Sequence, residues 1–209
     1  MIRHLAFAAS LSLASVASHT ANYTLEPNYT QVVFRWDHLG FSTPAAQVSQ
    51  GAGTLEFDQA DPLHSSIAAS MPLTTLNTGV PALDEDLRSD DFFDTPNFPT
   101  VTFKSTRIQS NGCMNRLQVT GDLSLHGVTK AVTLDVTIVK VGKNPRNNLP
   151  TVGFDALATI KRSDFGLGRY VPQVSDDIQL YLVSQAVETK AYTQYLKDQA
   201  AAEAAASKK

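Results

Sequence analysis

The sequence predicts an all-β fold: an eight-stranded antiparallel barrel with a short helical segment inside it and a helical C-terminal tail. Three observations carry that prediction. From Tyr23 to Glu188 apolar residues recur at every second position over long runs, the period of a half-buried strand. Turn residues separate these runs, and the intervals lack the helical stretches that βαβ units need. Many of the runs exceed ordinary strand length, and long strands joined by turns close into up-and-down barrels that leave no edge exposed.

The elements follow in chain order. Val32, Phe34, Trp36 and His38 share one face of the first run, and Gly40 bends or ends it. Leu55 and Phe57 mark the next strand, the turn cluster Asp58–Pro62 closes it, and Ile67, Ala69 and Met71 mark another. Asn77-Thr78-Gly79 breaks the alternation, and Pro81–Leu87 reads as one or two helical turns. The stretch Asp84–Ser105 combines acidic residues, Phe92, Phe93, Phe98 and two prolines, which suits a connection that caps one end of the barrel. Val101–Ile108 and Leu117–Leu125 are strands joined by a turn at Asn111-Gly112. His126-Gly127 is a hairpin turn that needs a positive φ, and Val132–Ile138 returns from it. A polar loop spans Lys143–Pro150, Phe154–Ile160 alternates again, and Ile178, Leu180 and Leu182 close the set.

Composition bounds what such a domain does. The chain has 209 residues, 43% hydrophobic and 18% charged, with a net charge of −3, so the basic footprint of a nucleic-acid binder is missing. Met1–His4 is a short positive start followed by an apolar, small-residue run to Ala17, the pattern of a cleaved secretory signal. The expected organisation is therefore a signal peptide at 1–18, a barrel at 22–190 and an Ala-rich helical or disordered tail at 191–209, in which Tyr192, Tyr195 and Leu196 are the anchors for any docking. Cys113 is the sole cysteine, so no internal disulfide forms.

Catalytic motifs are absent. The chain has no G-x-S-x-G elbow, no phosphate-cradling glycine loop and no H-E-x-x-H, and its histidines lack metal-ligand spacing. No cofactor or metal is expected. The acidic residues Asp84, Glu85, Asp86, Asp90, Asp91 and Asp94 read as helix N-terminal charge and a solvated loop rather than as a catalytic pair.

Several segments together resemble the YceI-like family, exported lipocalin-like barrels that bind polyisoprenoids. They are Phe34-Arg-Trp36-Asp-His38-Leu-Gly-Phe41, Gly53–Asp58, Leu76–Gly79, Leu87–Asp94 with Phe98-Pro99 and Phe103–Ser105, Gly121–Lys130, and Arg162–Gly166. They occur in the family's order and span nearly the whole domain. The resemblance implies a lumen holding a prenyl chain, such as an isoprenoid quinone or a polyprenyl phosphate. It also implies a periplasmic location, transient membrane contact and a homodimer as compatible partners, and no enzymatic activity. Alternation alone leaves a filled barrel and a hollow one equally open. With the resemblance, the lumen residues are expected to be Phe34, Trp36, His38, Phe57, Phe92, Phe93, Phe98, Phe103, Phe154 and Phe165, with the small Ala69, Ala156 and Ala158 leaving room. Arg162 is the candidate head-group contact. Two alternatives stand beside this reading. One is a lipid-acting enzyme, such as a hydrolase, using His38 with Asp90 or Asp94. The other is an envelope stress or scaffold protein with a filled barrel and an apolar surface patch.

Overall fold

Strand β1 (Thr20–Leu25) opens the described residues, Thr20–Ser207 of a computed structural model; the expected signal peptide lies outside them. A 3-10 turn at Pro27–Tyr29 interrupts this strand, since Pro27 has no N–H for a ladder, and the chain resumes as β2 (Gln31–Arg35). A second broken strand follows, β3 (Ala45–Val48) and β4 (Ala52–Asp58), creased at Gln50 with φ +61°. The two creases lie side by side, because β1 pairs with β4, β2 pairs with β3, and Gly51 N–H donates to Thr30 O at 3.1 Å.

Strands β5 (Ser66–Pro72), β6 (Thr100–Ser110), β7 (Arg116–Leu125), β8 (Val128–Lys143), β9 (Pro150–Lys161) and β10 (Asp177–Glu188) complete the wall. Each pairs antiparallel with its neighbour in sequence, and β10 closes the ring against both β1 and β2. Counting each broken pair once, this is the expected closed eight-stranded antiparallel barrel. The β7–β8 turn places His126 at φ +51° and Gly127 at +74°, the left-handed pair of a tight hairpin. Gly121 serves a different need. A Cβ there would lie 2.4 Å from the Phe103 ring and 2.5 Å from Lys104 O, so β6 leans onto β7 and its ladder shifts register between Ser105 and Arg107.

One end of the barrel is capped. Helix α1 (Pro81–Arg88) starts with a proline in its first turn, and buried Asp84 accepts hydrogen bonds from Thr78 N at 2.6 Å and Thr78 Oγ1 at 2.7 Å. Phe93 N–H then donates to Leu87 O at 3.0 Å, which folds the segment after α1 back over the opening. Leu83, Leu87, Phe92 and Phe93 thereby join Phe34, Trp36 and Ile178 in one apolar cluster.

The rim beside this cap is braced by Arg162, which is 7% exposed. Its guanidinium donates to Ser175 O at 2.8 Å, to Val174 O at 3.1 Å and, closer still, to Leu167 O. Asp176 accepts from Ser163 N at 2.8 Å and Ser163 Oγ at 2.7 Å and ties down the same loop. At the other end, helix α2 (Thr189–Ala206) leaves the barrel with Glu188 capping Ala191 N–H at 2.8 Å. Tyr192 and Tyr195 are half-buried there while Leu196 is exposed. The helix begins two residues before the expected tail, and its apolar contact with the barrel is small.

Two carboxylates set a pH limit for the cap and rim. The Thr78 side-chain hydrogen bond holds the Asp84 carboxyl below its ordinary pKa against the opposing effect of burial. Burial raises Asp176, but the hydrogen bonds from Ser163 with nearby Lys161 and Arg162 bring it below its ordinary value. A depressed folded-state pKa contributes stability above the unfolded value, near pH 4, and loses it as pH falls through the folded value. Urea midpoints measured at pH 7, 5 and 3 are expected to fall mainly below about pH 4. Asp84→Asn is expected to lower the neutral midpoint and shallow that decline; an unchanged acid slope would contradict the assignment.

Candidate functional site

The inward faces of the strands do not meet across the barrel. They enclose a cavity of about 280 Å³ whose lining is almost wholly apolar. Alternation explains the lining, because every second side chain of β6–β10 points in, and the register keeps these positions opposite one another: Val136 pairs with Ala156, and Ala156 with Leu182. Phe34, Trp36, Phe57, Phe92, Phe93, Phe103 and Phe154 line this cavity, as do Ala69, Ala156 and the buried Arg162; Ala158 is outside the lining. The aromatics nearest the cap stack among themselves, Phe34 on Trp36 at 5.8 Å between centroids and Phe34 edge-on to Phe93 at 5.7 Å. They form a floor that shuts the lumen at the α1 end.

Three expected lumen residues sit elsewhere. His38 is exposed and outside the lining, which corrects its inward placement. Strand β2 ends at Arg35, and Leu39 (φ +61°) and Gly40 (φ +75°) turn the chain back in a finger beyond the rim. Sharing parity with Phe34 therefore no longer means sharing its side of the sheet. Phe98 packs edge-on against His126 at 4.8 Å, under the β7–β8 turn. Phe165, 1% exposed, fills the solid wall between Leu125 and Leu167. His38 forms none of the ion pairs among the described residues, so the histidine–carboxylate pair that the enzyme reading requires is not assembled there. Asp91 is instead paired with Arg169, and Asp94 with Asn97 at 2.9 Å.

Two features had no reading in the sequence. The first is the extent of the β7–β8 wall, where Leu117, Val119, Val132 and Leu134 line the cavity; their alternation was legible, but not which face held the void. The second is a seam between β5 and β6. Their pairing runs from Pro72–Thr100 to Ala68–Lys104 and stops, with Ile67 N–H donating to the Ser105 side chain at 2.9 Å instead of to backbone. Past that point β6 pairs with β7 alone through the bulge, and the 3-10 turn Pro62–His64 lies against both β4 and β6. A second cavity of about 360 Å³ occupies the gap and shares Ser65 and Ile108 with the lumen. The lumen is thus closed at the α1 end and adjoins a vestibule of mixed polar and apolar lining at the other.

The buried hydroxyls of the wall at Thr30 and Ser184 are satisfied internally. Buried Thr30 and Ser184 bond to each other at 2.8 Å, and Thr30 Oγ1 also lies 2.9 Å from Glu26 O. Arg162 has its donors directed at the three rim carbonyls, and burial lowers its pKa from the ordinary value while Asp176 opposes that shift. No cluster of three or more potential metal ligands occurs among the described residues.

Known proteins share this architecture. Residues 23–186 match the YceI-like domain. Protein YceI of Escherichia coli O157:H7 is 32% identical over 184 residues, which cover 87% of this chain and 95% of that protein. The crystal structure of Burkholderia cenocepacia BcnA matches with a TM-score of 0.67 at 24% identity, covering 75% of this chain and 95% of its own. A polyisoprenoid binding domain from Saccharophagus degradans, implicated in plant cell wall breakdown, matches with a TM-score of 0.60 at 15% identity, covering 81% and 99%. At those identities the two structures attest a common fold. With the family-level match spanning almost the entire barrel, the chain belongs to the YceI-like family.

Proposed function

We propose that this protein is an exported, non-enzymatic carrier or store for an isoprenoid lipid, an isoprenoid quinone or a polyprenyl phosphate, whose chain lies in the barrel lumen. The observation that carries this reading is the unfilled, apolar cavity running inside a closed barrel from the aromatic floor to the seam. Each 100 Å² of prenyl surface taken from water there contributes about 2.5 kcal/mol, so several isoprene units bind without a dense polar site. The polyisoprenoid-binding neighbour of the same fold supports that ligand class, and the apolar N-terminal run supports export to the periplasm. No further cofactor is required. Leu63 (43% exposed) and Met114 (80%) stand in the 3-10 turn before β5 and in the β6–β7 turn, at the same end of the barrel as the seam, and offer apolar contacts for a transient meeting with a membrane.

Trp36, the sole tryptophan, lines the cavity and reports on it. Titrating delipidated protein with a short-chain isoprenoid quinone should quench its fluorescence saturably, at one ligand per chain. A quinone that leaves the emission unchanged argues against lumen occupancy.

One observation favours a second reading, in which the surface engages a partner. Phe41 is 91% exposed on the finger beyond the rim, and the finger is pinned by Leu39 N–H to Gln173 O at 3.1 Å and Ser175 N–H to Asp37 O at 3.0 Å. A homodimer would use such a contact. Phe41→Ser is expected to leave quinone binding unchanged, and sedimentation should show dissociation if this finger holds two copies together. A variant with lost quinone binding would instead place the finger in the lipid path.

A further inference from the structure

We infer that the vestibule at the β5–β6 seam is a subsite for an anionic head group, with Arg107 as its charge. The inference rests on the lumen-binding reading and adds the chemistry of the ligand's polar end. Besides the apolar Leu63 and Ile108, the vestibule is lined by His64, Ser65, Ser66, Ser105, Thr106 and Arg107, and no carboxylate lines it. It meets the apolar lumen at Ser65 and Ile108, so a chain threaded from the floor brings its polar terminus here.

The hydrogen-bonding roles are asymmetric. Ser105 Oγ accepts from Ile67 N–H at 2.9 Å and Ser65 Oγ accepts from Asp58 N–H at 3.1 Å. Each hydroxyl thus keeps its proton for a ligand. The exposed Arg107 side chain has no hydrogen bond or ion pair among the described residues, so its guanidinium donors are available. His64 is held by Asp61 at 3.0 Å, and Ser66 Oγ donates to Glu56 at 3.1 Å, which leaves both carboxylates engaged outside the lining. A site that offers donors and a guanidinium, in a chain of net charge −3, selects acceptor-rich and negatively charged groups; a phosphate fits its fork geometry. The contrast with Arg162 is direct, since that guanidinium is spent on rim carbonyls at the closed end.

The test compares geranylgeranyl phosphate with geranylgeraniol, one chain with two heads, by titration against Trp36 fluorescence at low and high salt. Wild type should bind the phosphate about tenfold more tightly than the alcohol, with the preference shrinking at high salt. Arg107→Ala should abolish the preference by weakening the phosphate far more than the alcohol, and Arg107→Lys should restore part of it. Equal affinities in wild type, or a preference untouched in Arg107→Ala, would overturn the head-group site while the lumen reading stands. Failure of both ligands to bind would overturn the lumen reading itself, and this inference with it.

Discussion

Replacing Arg162 by methionine is expected to destabilise the protein by about 3 kcal/mol, a large effect for a single substitution. Methionine fills much of the same volume, so the loss isolates the hydrogen bonds. The carbonyls of Leu167, Val174 and Ser175 lose their donor at once, and each sits at the rim outside the strand ladders. Thermal unfolding should shift down by roughly 10 °C for a domain of this size. Arg162→Lys is expected to recover little, because an ammonium cannot span three carbonyls in the plane that a guanidinium reaches. If Arg162 acted on a head group instead, both variants would keep their melting temperature and lose lipid, which calorimetry and a binding titration distinguish.

Filling the lumen is expected to give the largest functional loss. Ala156 is buried and lines the cavity between Val136 and Leu182 on the adjacent strands. An indole at this position projects into the void, so Ala156→Trp should cost no more than about 1–3 kcal/mol in packing. The same ring occupies the volume a chain would use, and retention of lipid should fall by about tenfold or more. Near-native circular dichroism with lost retention is the expected pair of results. Unchanged retention would place the ligand outside the barrel.

The barrel was legible because its signal is repetitive. Each strand from β4 to β10 carries alternation over most of its length, and the Asn111-Gly112 and His126-Gly127 turns state where the chain reverses. The helical turns from Pro81 and the cap over Phe92 and Phe93 were legible for a similar reason, a proline start and dense aromatic surface. Alternation fails where a strand leaves the sheet. His38 keeps the parity of Trp36, yet the backbone has already passed the rim, where the positive φ of Leu39 and Gly40 marks the change. Phe165 and Phe98 show a related limit, since an apolar face does not say whether a ring borders a void or fills a wall.

The vestibule was hidden for a different reason. It exists because two neighbouring strands stop pairing, and register between strands distant in sequence is a tertiary property. Lys104-Ser105-Thr106-Arg107 reads as an ordinary polar edge until the bulge separates β6 from β5. The same gap explains why Arg162 drew attention as a head-group contact. It belongs to the family-like segment Arg162–Gly166, whereas Arg107 becomes distinctive only once the structure places it beside the vestibule.

Whether the lumen holds a lipid chain is tested most directly by native mass spectrometry of the protein purified from its own host. Lumen binding predicts one apolar adduct per chain, with a fragment series spaced by isoprene units, present in wild type and absent from Ala156→Trp. A wild-type spectrum showing only the bare polypeptide, or an adduct that survives unchanged in Ala156→Trp, would contradict it.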